Sequence, residues 1–163
     1  MSYSAIAVFQ GPEVYGSVKF TQKMNEQTVI YINLSGTGLQ PNALQGFHIH
    51  EFGDLSEGCK SACAHYNPFG KSHGCPGMSE RHVGDLGNIQ IDLFGTVNYS
   101  TTDEIISLYG DHSIIGRSLI IHRNKDDCGQ AQGELRTESL KTGNAGDRIA
   151  CAVIGIARPS DHC

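Results

Sequence analysis

Tryptophan is missing altogether, charged residues fill only 18% of 163 positions, and no run of Lys or Arg exceeds two residues. The first two absences argue against a charged helical bundle. The third, with a formal net charge of −5, excludes the basic footprint of a nucleic-acid binder. No window approaches the roughly 20 apolar residues of a membrane-spanning helix. The opening MSYSAIAVFQ carries no basic segment and only a short apolar stretch, so a soluble, non-exported, cytoplasmic protein is expected. Internal repeats, low-complexity tracts and linker-like stretches are also lacking, and residues 1–163 are read as a single domain, long enough to bury a core of its own.

What is present is glycine, at 20 positions, and short apolar alternation. Ala5 to Phe9, Thr28 to Leu34, Leu44 to His50, Asn88 to Leu93 and Ser118 to His122 read as strands of period two, separated mostly by Gly, Pro, Asn or Asp. No dozen residues sustain a helical period, and Thr101 to Tyr109 fits either a strand or a short helical turn. An all-β chain follows. Two stretches break the alternation, Glu51 to Glu80 and Arg123 to Asp147, and loops of that length in a compact domain carry function or are disordered.

Six of the eight histidines, His48, His50, His65, His73, His82 and His122, lie in or beside those loops. His48 and His50 are two apart on a predicted strand, so both rings leave one face while Phe47 and Ile49 point into apolar packing. His122 ends the strand Ser118–His122 and can add a third imidazole to that pair, a ligand set that suits copper or zinc. His65, His73, His82 and Asp85 offer three nitrogens and one carboxylate oxygen, the donors of a closed tetrahedral zinc shell. Any one of these is more ordinarily a solvated or hydrogen-bonded residue. Two complementary sets on one chain favour a metal centre. Six cysteines without an export signal fit reduced thiols or metal ligands, but they also allow 15 pairings if oxidised.

The motifs Gly46-Phe-His-Ile-His-Glu-Phe-Gly-Asp54, Glu80-Arg-His-Val-Gly-Asp-Leu-Gly-Asn88, Gly110-Asp-His-Ser-Ile-Ile-Gly-Arg117 and Lys141-Thr-Gly-Asn-Ala-Gly-Asp-Arg148, running on to Ala157, resemble the copper/zinc superoxide dismutase family along nearly the whole chain. The resemblance implies an eight-stranded Greek-key β-barrel, an immunoglobulin-like sandwich with two long functional loops. It implies one copper ion per chain on His48, His50, His65 and His122, and one zinc ion on His65, His73, His82 and Asp85, with His65 shared. It implies that superoxide is the substrate, converted to oxygen and hydrogen peroxide. It places Asp126 behind the ligands, Arg148 beside the copper, Thr142 at the entrance, and Lys141 and Arg136 as sources of attraction for the anion. It also implies a Cys59–Cys151 disulfide, a homodimer through Phe52, Gly53, Ile115, Val153 and Ile156, and maturation by a copper chaperone.

The chain departs from the family pattern in its loops. Cys63 and Cys75 stand where Gly is more usual and Ala64 where Pro is common; the two cysteines are expected to be free thiols, with a second disulfide as the lesser alternative. The 123–147 segment is about three residues longer than the family's, carries Cys128, and has Thr137 in place of an acidic residue. The tail through His162 and Cys163 extends past the last strand. Two rival readings stay open. A copper chaperone with a similar central domain is disfavoured by the absence of an extra metal-binding segment and of a C-terminal Cys-x-Cys. A copper-buffering module has the same ligand shell and no turnover.

Overall fold

The computed structural model describes residues 1–158. His162 and Cys163 lie outside the described residues. The elements, in chain order, are β1 (Ser2–Gln10), β2 (Tyr15–Lys23), β3 (Thr28–Ser35), β4 (Leu44–His50), β5 (Ser56–Cys59), β6 (Asp85–Gln90), β7 (Thr96–Asp103), β8 (Ser118–His122), α1 (Arg136–Thr142) and β9 (Arg148–Ile156). Eight strands form one antiparallel sheet in the order β6-β4-β8-β9-β1-β2-β3-β7, which nearly closes into a barrel as the Greek-key expectation requires. The alternation within β3 is that of a half-buried strand: Thr28, Ile30, Ile32 and Leu34 are buried, and Tyr31 is exposed.

Strand β9 joins the two halves of the sheet. Its first part pairs with β8, from His122↔Arg148 to Ser118↔Val153, and its last residues pair with β1. The core inside is aliphatic and aromatic, with Phe20, Ile30, Leu34, Phe47, Ile49, Ile89, Leu119 and Ile121 among its fully or nearly fully buried members. Each such side chain contributes about 1.5–3 kcal/mol by leaving water.

Two strands depart from the one-face-wet pattern. From Gln45 to His50, β4 is buried at every position, and so is all of β8. Phe47 and Ile49 face the barrel core as expected, while the opposite face, bearing His48 and His50, is roofed by the two long loops. The loops therefore turn an ordinary outer sheet face into an interior, and the histidines on it lose water.

Those loops are not structureless. The first holds β5 and a 3-10 turn at Lys60–Ala62, and the second holds a 3-10 turn at Gly133–Leu135 followed by the seven-residue α1. Thr101–Tyr109 divides: β7 ends at Asp103, whose carboxylate accepts the N–H of Ile105 and of Ile106 and turns the chain. The strand expected at Asn88–Leu93 starts earlier, at Asp85, and ends at Gln90.

Two disulfides staple the loops, Cys59–Cys151 with Cα atoms 5.5 Å apart and Cys75–Cys128 with Cα atoms 5.0 Å apart. The first is the expected pair. The second corrects the free-thiol expectation for Cys75: its partner is Cys128 on the other long loop, brought alongside only by folding. Cys63 is free and exposed, as expected.

Candidate metal centre

The two histidine sets converge. One ligand atom each from His48, His50, His65 and His122 lie within 4.8 Å of one another, and so do one each from His65, His73, His82 and Asp85. His65 belongs to both, and all seven residues are buried. His48 and His50 come from β4, His122 from the end of β8, and Asp85 from the start of β6; only His65, His73 and His82 sit on loop backbone. β4 and β8 pair antiparallel, with His48 beside Ile120 and His50 beside Ser118, so the first set stands on a rigid sheet.

In the first set each ring uses one nitrogen as an anchor. His48 Nε2 donates to Asp126 Oδ2 at 2.6 Å, His50 Nδ1 to the Cys63 carbonyl at 2.8 Å, and His122 Nδ1 to the Gly146 carbonyl at 3.0 Å. The nitrogens left over, His48 Nδ1, His50 Nε2 and His122 Nε2, are buried and have no hydrogen-bond partner. Buried polar atoms without partners are rare because each forfeits its hydration, and three aimed at one point make a ligand set for a cation. Burial holds the His48 and His50 rings well below the ordinary imidazole range and His122 down to about 4, with repulsion from the His65 ring adding to all three. They are therefore neutral at neutral pH with a free lone pair, the form that binds copper or zinc.

The second set is organised around one oxygen. His65 Nδ1, His73 Nδ1 and His82 Nδ1 lie 2.8, 3.0 and 3.1 Å from Asp85 Oδ1. The His73 contact lacks hydrogen-bond geometry, so that nitrogen too is unpartnered. Asp85 is oriented through its other oxygen, which accepts the N–H of Gly74 at 3.0 Å and of His82 at 2.8 Å. Burial disfavours the Asp85 charge, but hydrogen bonds from His65 and His82 and the close His73 ring outweigh it and hold the carboxyl far below its usual range. Burial likewise opposes a charge on His73, yet its hydrogen bond to Asp126 and the close Asp85 carboxylate raise it to about 9. Three nitrogens around a fixed carboxylate oxygen are the donors of a closed tetrahedral zinc shell. Both sets fit the metals their chemistry suggests.

Asp126 joins the sets. Its Oδ2 holds His48 and its Oδ1 accepts from His73 Nε2 at 2.8 Å. Asp126 is itself fixed by Asn88, which donates to the Asp126 carbonyl at 3.0 Å and accepts its N–H at 2.7 Å. Gly143 is the reason this bridge fits: at φ +70° it caps α1 in the left-handed region, and any Cβ there would overlap Asp126 Oδ1 and His73 Nε2. Sequence reasoning missed Asn88 and Gly143, and it missed Arg81. The guanidinium of Arg81 is buried, pairs with Asp103 at 2.8 Å and donates to the His82 and Val83 carbonyls, pinning the second set to the end of β7. Their partners are remote in sequence, and no local pattern marks them.

A cavity of about 790 Å³ opens over the first set, lined by His50, His65, His122, Lys141, Thr142 and Arg148 among others. Arg148 is fixed by donating to the Cys59 carbonyl at 2.8 Å and the Cys63 carbonyl at 2.6 Å. The Cys63 carbonyl therefore receives both His50 and Arg148. Glu138 also lines the cavity, and Thr142 Oγ1 donates to its carboxylate at 2.9 Å. Arg136 does not line the cavity; it donates to the Gly129 and Ala131 carbonyls, so any attraction it exerts on the anion acts from a distance.

Fold and site together define a β-barrel protein with a paired, histidine-rich metal centre beneath a cavity that Lys141 and Arg148 help to line. The family model described as copper/zinc superoxide dismutase matches residues 14–154. The chain belongs to that family. It is 53% identical over 154 residues to "Superoxide dismutase [Cu-Zn]" of Cryptococcus neoformans var. grubii, covering 94% of this chain and 97% of that one. It is 52% identical over 155 residues to the protein of the same name from Paramecium bursaria Chlorella virus 1, covering 95% of this chain and 79% of that one. Over 156 residues, 96% of this chain and 77% of that one, it is 47% identical to "Extracellular superoxide dismutase [Cu-Zn]" of Onchocerca volvulus. Among solved structures, that of the clock protein EA4 is similar with a TM-score of 0.88 and 42% identity, covering 95% of both chains.

Proposed function

We propose that the two ligand sets carry out superoxide dismutation, the oxidoreductase activity that family membership gives this chain, with copper held by His48, His50, His65 and His122 and zinc by His65, His73, His82 and Asp85. The net reaction takes two superoxide anions and two protons to oxygen and hydrogen peroxide. The observation that carries the residue assignment is the convergence of unpartnered nitrogens of His48, His50 and His122 beneath the cavity.

Copper, when bound, supplies the one-electron exchange, accepting from one superoxide and donating to the next. The protein's part is to hold, attract and protonate. Strands β4 and β8 hold His48, His50 and His122 in place, so little reorganisation accompanies each electron transfer. His65 is common to both sets. Its Nδ1 is committed to the Asp85 side, so Nε2 is the nitrogen that would hold copper and, when free of it, would carry a proton for delivery to the forming peroxide. The carboxylate-bearing set fixes that ring, and Asp126 fixes the tautomers of His48 and His73.

A protein of net charge −5 must concentrate an anion locally. Arg148 and Lys141 line the cavity and supply positive potential there, while Thr142 narrows the opening and Glu138 opposes the field. Superoxide dismutase is itself a standard illustration of such steering.

Residues 1–163 act as one domain in this reading, supported by the single sheet that joins β1 to β9. The working unit is a homodimer. Phe52, Val153 and Ile156 are 48%, 42% and 81% exposed, a large apolar outlay for a free surface. Ser118 Oγ bonds the Phe52 carbonyl and the Gly116 N–H bonds the Ile154 carbonyl, which brings the Phe52–Gly53, Ile115 and Val153 segments together. Copper delivery by a chaperone belongs to the same reading. Among the described residues no helix is long and apolar enough to cross a membrane. A cytoplasmic location is supported by the exposed Cys63 thiol, which a reducing compartment preserves; the two disulfides and the extracellular relative argue the other way, and cell fractionation decides.

The test is superoxide consumption by purified protein loaded with copper and zinc, alongside elemental analysis. Rapid consumption with one copper and one zinc per chain is expected. Both metals bound without turnover would make the chain a copper-buffering module.

A further inference from the structure

The Cys75–Cys128 disulfide has no place in the reading above, and its position is specific. Cys75 lies two residues beyond His73 on the first long loop, and Cys128 two residues beyond Asp126 on the second. His73 Nε2 donates to Asp126 Oδ1 at 2.8 Å. The disulfide thus closes covalently, a few atoms away, the same junction that the His73–Asp126 hydrogen bond closes.

Neighbouring contacts tighten the link. The Cys128 N–H donates to Asp126 Oδ1 at 2.7 Å, so the cysteine's backbone and the His73 ring share one carboxylate oxygen. On the other side, the Gly74 N–H, between His73 and Cys75, donates to Asp85 Oδ2 at 3.0 Å. Cys128 holds a left-handed backbone at φ +59°, a conformation that side chains other than Gly seldom adopt and that a surrounding structure has to maintain. The half-buried bridge spans 53 residues of sequence. Without it, Asp126 and His73 would be held together by their own hydrogen bond, by the His73 N–H bond to the Leu140 carbonyl at 2.9 Å and by the grip of Asn88 on Asp126. With it, their effective concentration is fixed by a short covalent tether.

We propose that Cys75 and Cys128 are positioning residues whose disulfide retains zinc by holding Asp126 against His73. This rests on the zinc assignment to His65, His73, His82 and Asp85. The bridge acts on the zinc side above all: His50 and His122 are anchored by the Cys63 and Gly146 carbonyls, which the bridge does not touch, and His48, although Asp126 holds its ring, stands on β4, whereas His73 sits on loop backbone. Groups that orient metal ligands typically alter metal affinity by about 10–100-fold, and an effect at the lower end, about 10-fold, is expected here.

The experiment measures release of zinc and copper from the metal-loaded protein into chromophoric chelators, well below its unfolding temperature, for the wild type and the double variant Cys75→Ser with Cys128→Ser. Zinc release about 10-fold faster, with copper release changed by less than about 3-fold, is the expected result. Unchanged zinc release overturns the proposal, even if the variant melts at a lower temperature, because the bridge would then be a general staple. A wild type that binds copper but no zinc overturns the underlying zinc assignment and the proposal with it. If the double variant does not fold, the wild type is reduced stepwise with a phosphine, and alkylation of each cysteine is followed by mass spectrometry. Zinc loss that tracks labelling of Cys75 and Cys128 supports the proposal; loss that tracks Cys59 and Cys151 instead overturns it.

Discussion

The two halves of the metal centre are built on different principles. The imidazole-only half, His48, His50 and His122, stands on paired strands, and backbone carbonyls or one buried carboxylate anchor its rings. The other half hangs His65, His73 and His82 on loop backbone, and polar bonds organise it: Asp85 inside the set, Asp126 and Arg81 behind it, and a disulfide alongside. The sheet supplies rigidity to the first half at no additional cost, whereas the second half has to be tied by side chains. Both halves reach the cavity, through His50 and His122 on one side and His65 and His82 on the other, and in the proposed assignment the group that changes oxidation state is held by the stiffer scaffold.

The sharpest test of that difference is His122→Ala. It removes a strand-borne ligand while leaving the carboxylate set whole. Turnover in a superoxide consumption assay is expected to fall by more than about 100-fold, beyond the range typical of groups that merely orient ligands, with zinc content retained by elemental analysis. Loss of zinc as well would show that the halves are not separable.

Next in size is Asp126→Asn, which acts on the junction between the halves. An amide is a weaker acceptor for His73 and His48 and can present an N–H where an acceptor is needed. Zinc affinity in a competition titration is expected to weaken by about 10–100-fold, and copper affinity by less. Equal losses would mean that Asp126 serves both halves alike.

Arg148→Ala removes no member of either ligand set and acts chiefly on the approach, while also freeing one bond to the Cys63 carbonyl that anchors His50. Turnover at low salt is expected to drop by about 10-fold, a size within the range of electrostatic steering, and its decline with rising ionic strength to flatten. Metal contents should stay unchanged. Stopped-flow consumption measured across a salt series checks all of this. The smallest effect on chemistry is expected from Val153→Glu, an exposed position on β9 that belongs to neither ligand set. Sedimentation should show a dimer for the wild type and monomers for the variant, with turnover per chain altered by less than about 2-fold, because a charge facing its symmetry mate is repelled at a two-fold contact.

Much of the strand-built half was legible in advance. His48-x-His50 on an alternating segment fixes two rings on one face, and an apolar strand ending in His122 fixes a third, because period-two geometry acts locally. The carboxylate half was legible as a set of donors, and family resemblance put Asp126 and Cys59–Cys151 beside it. The ties of Arg81 to Asp103, Asn88 to Asp126 and Gly143 against His73 were not legible, since each depends on a partner brought near only by folding. The placement of Arg136 was not legible for a related reason: the direction of a side chain on a short loop helix is set by packing.

By itself the sequence determined an all-β chain, the two families of ligands and the absence of helical and basic architectures, because composition and short-range periodicity act within a few residues. Only the tertiary structure decided that β4 and β8 are covered on both faces, which nitrogens are left without partners, and that Cys75 meets Cys128. Those outcomes depend on how two long loops close over a sheet, and loop closure is governed by long-range contacts that leave no period in the chain.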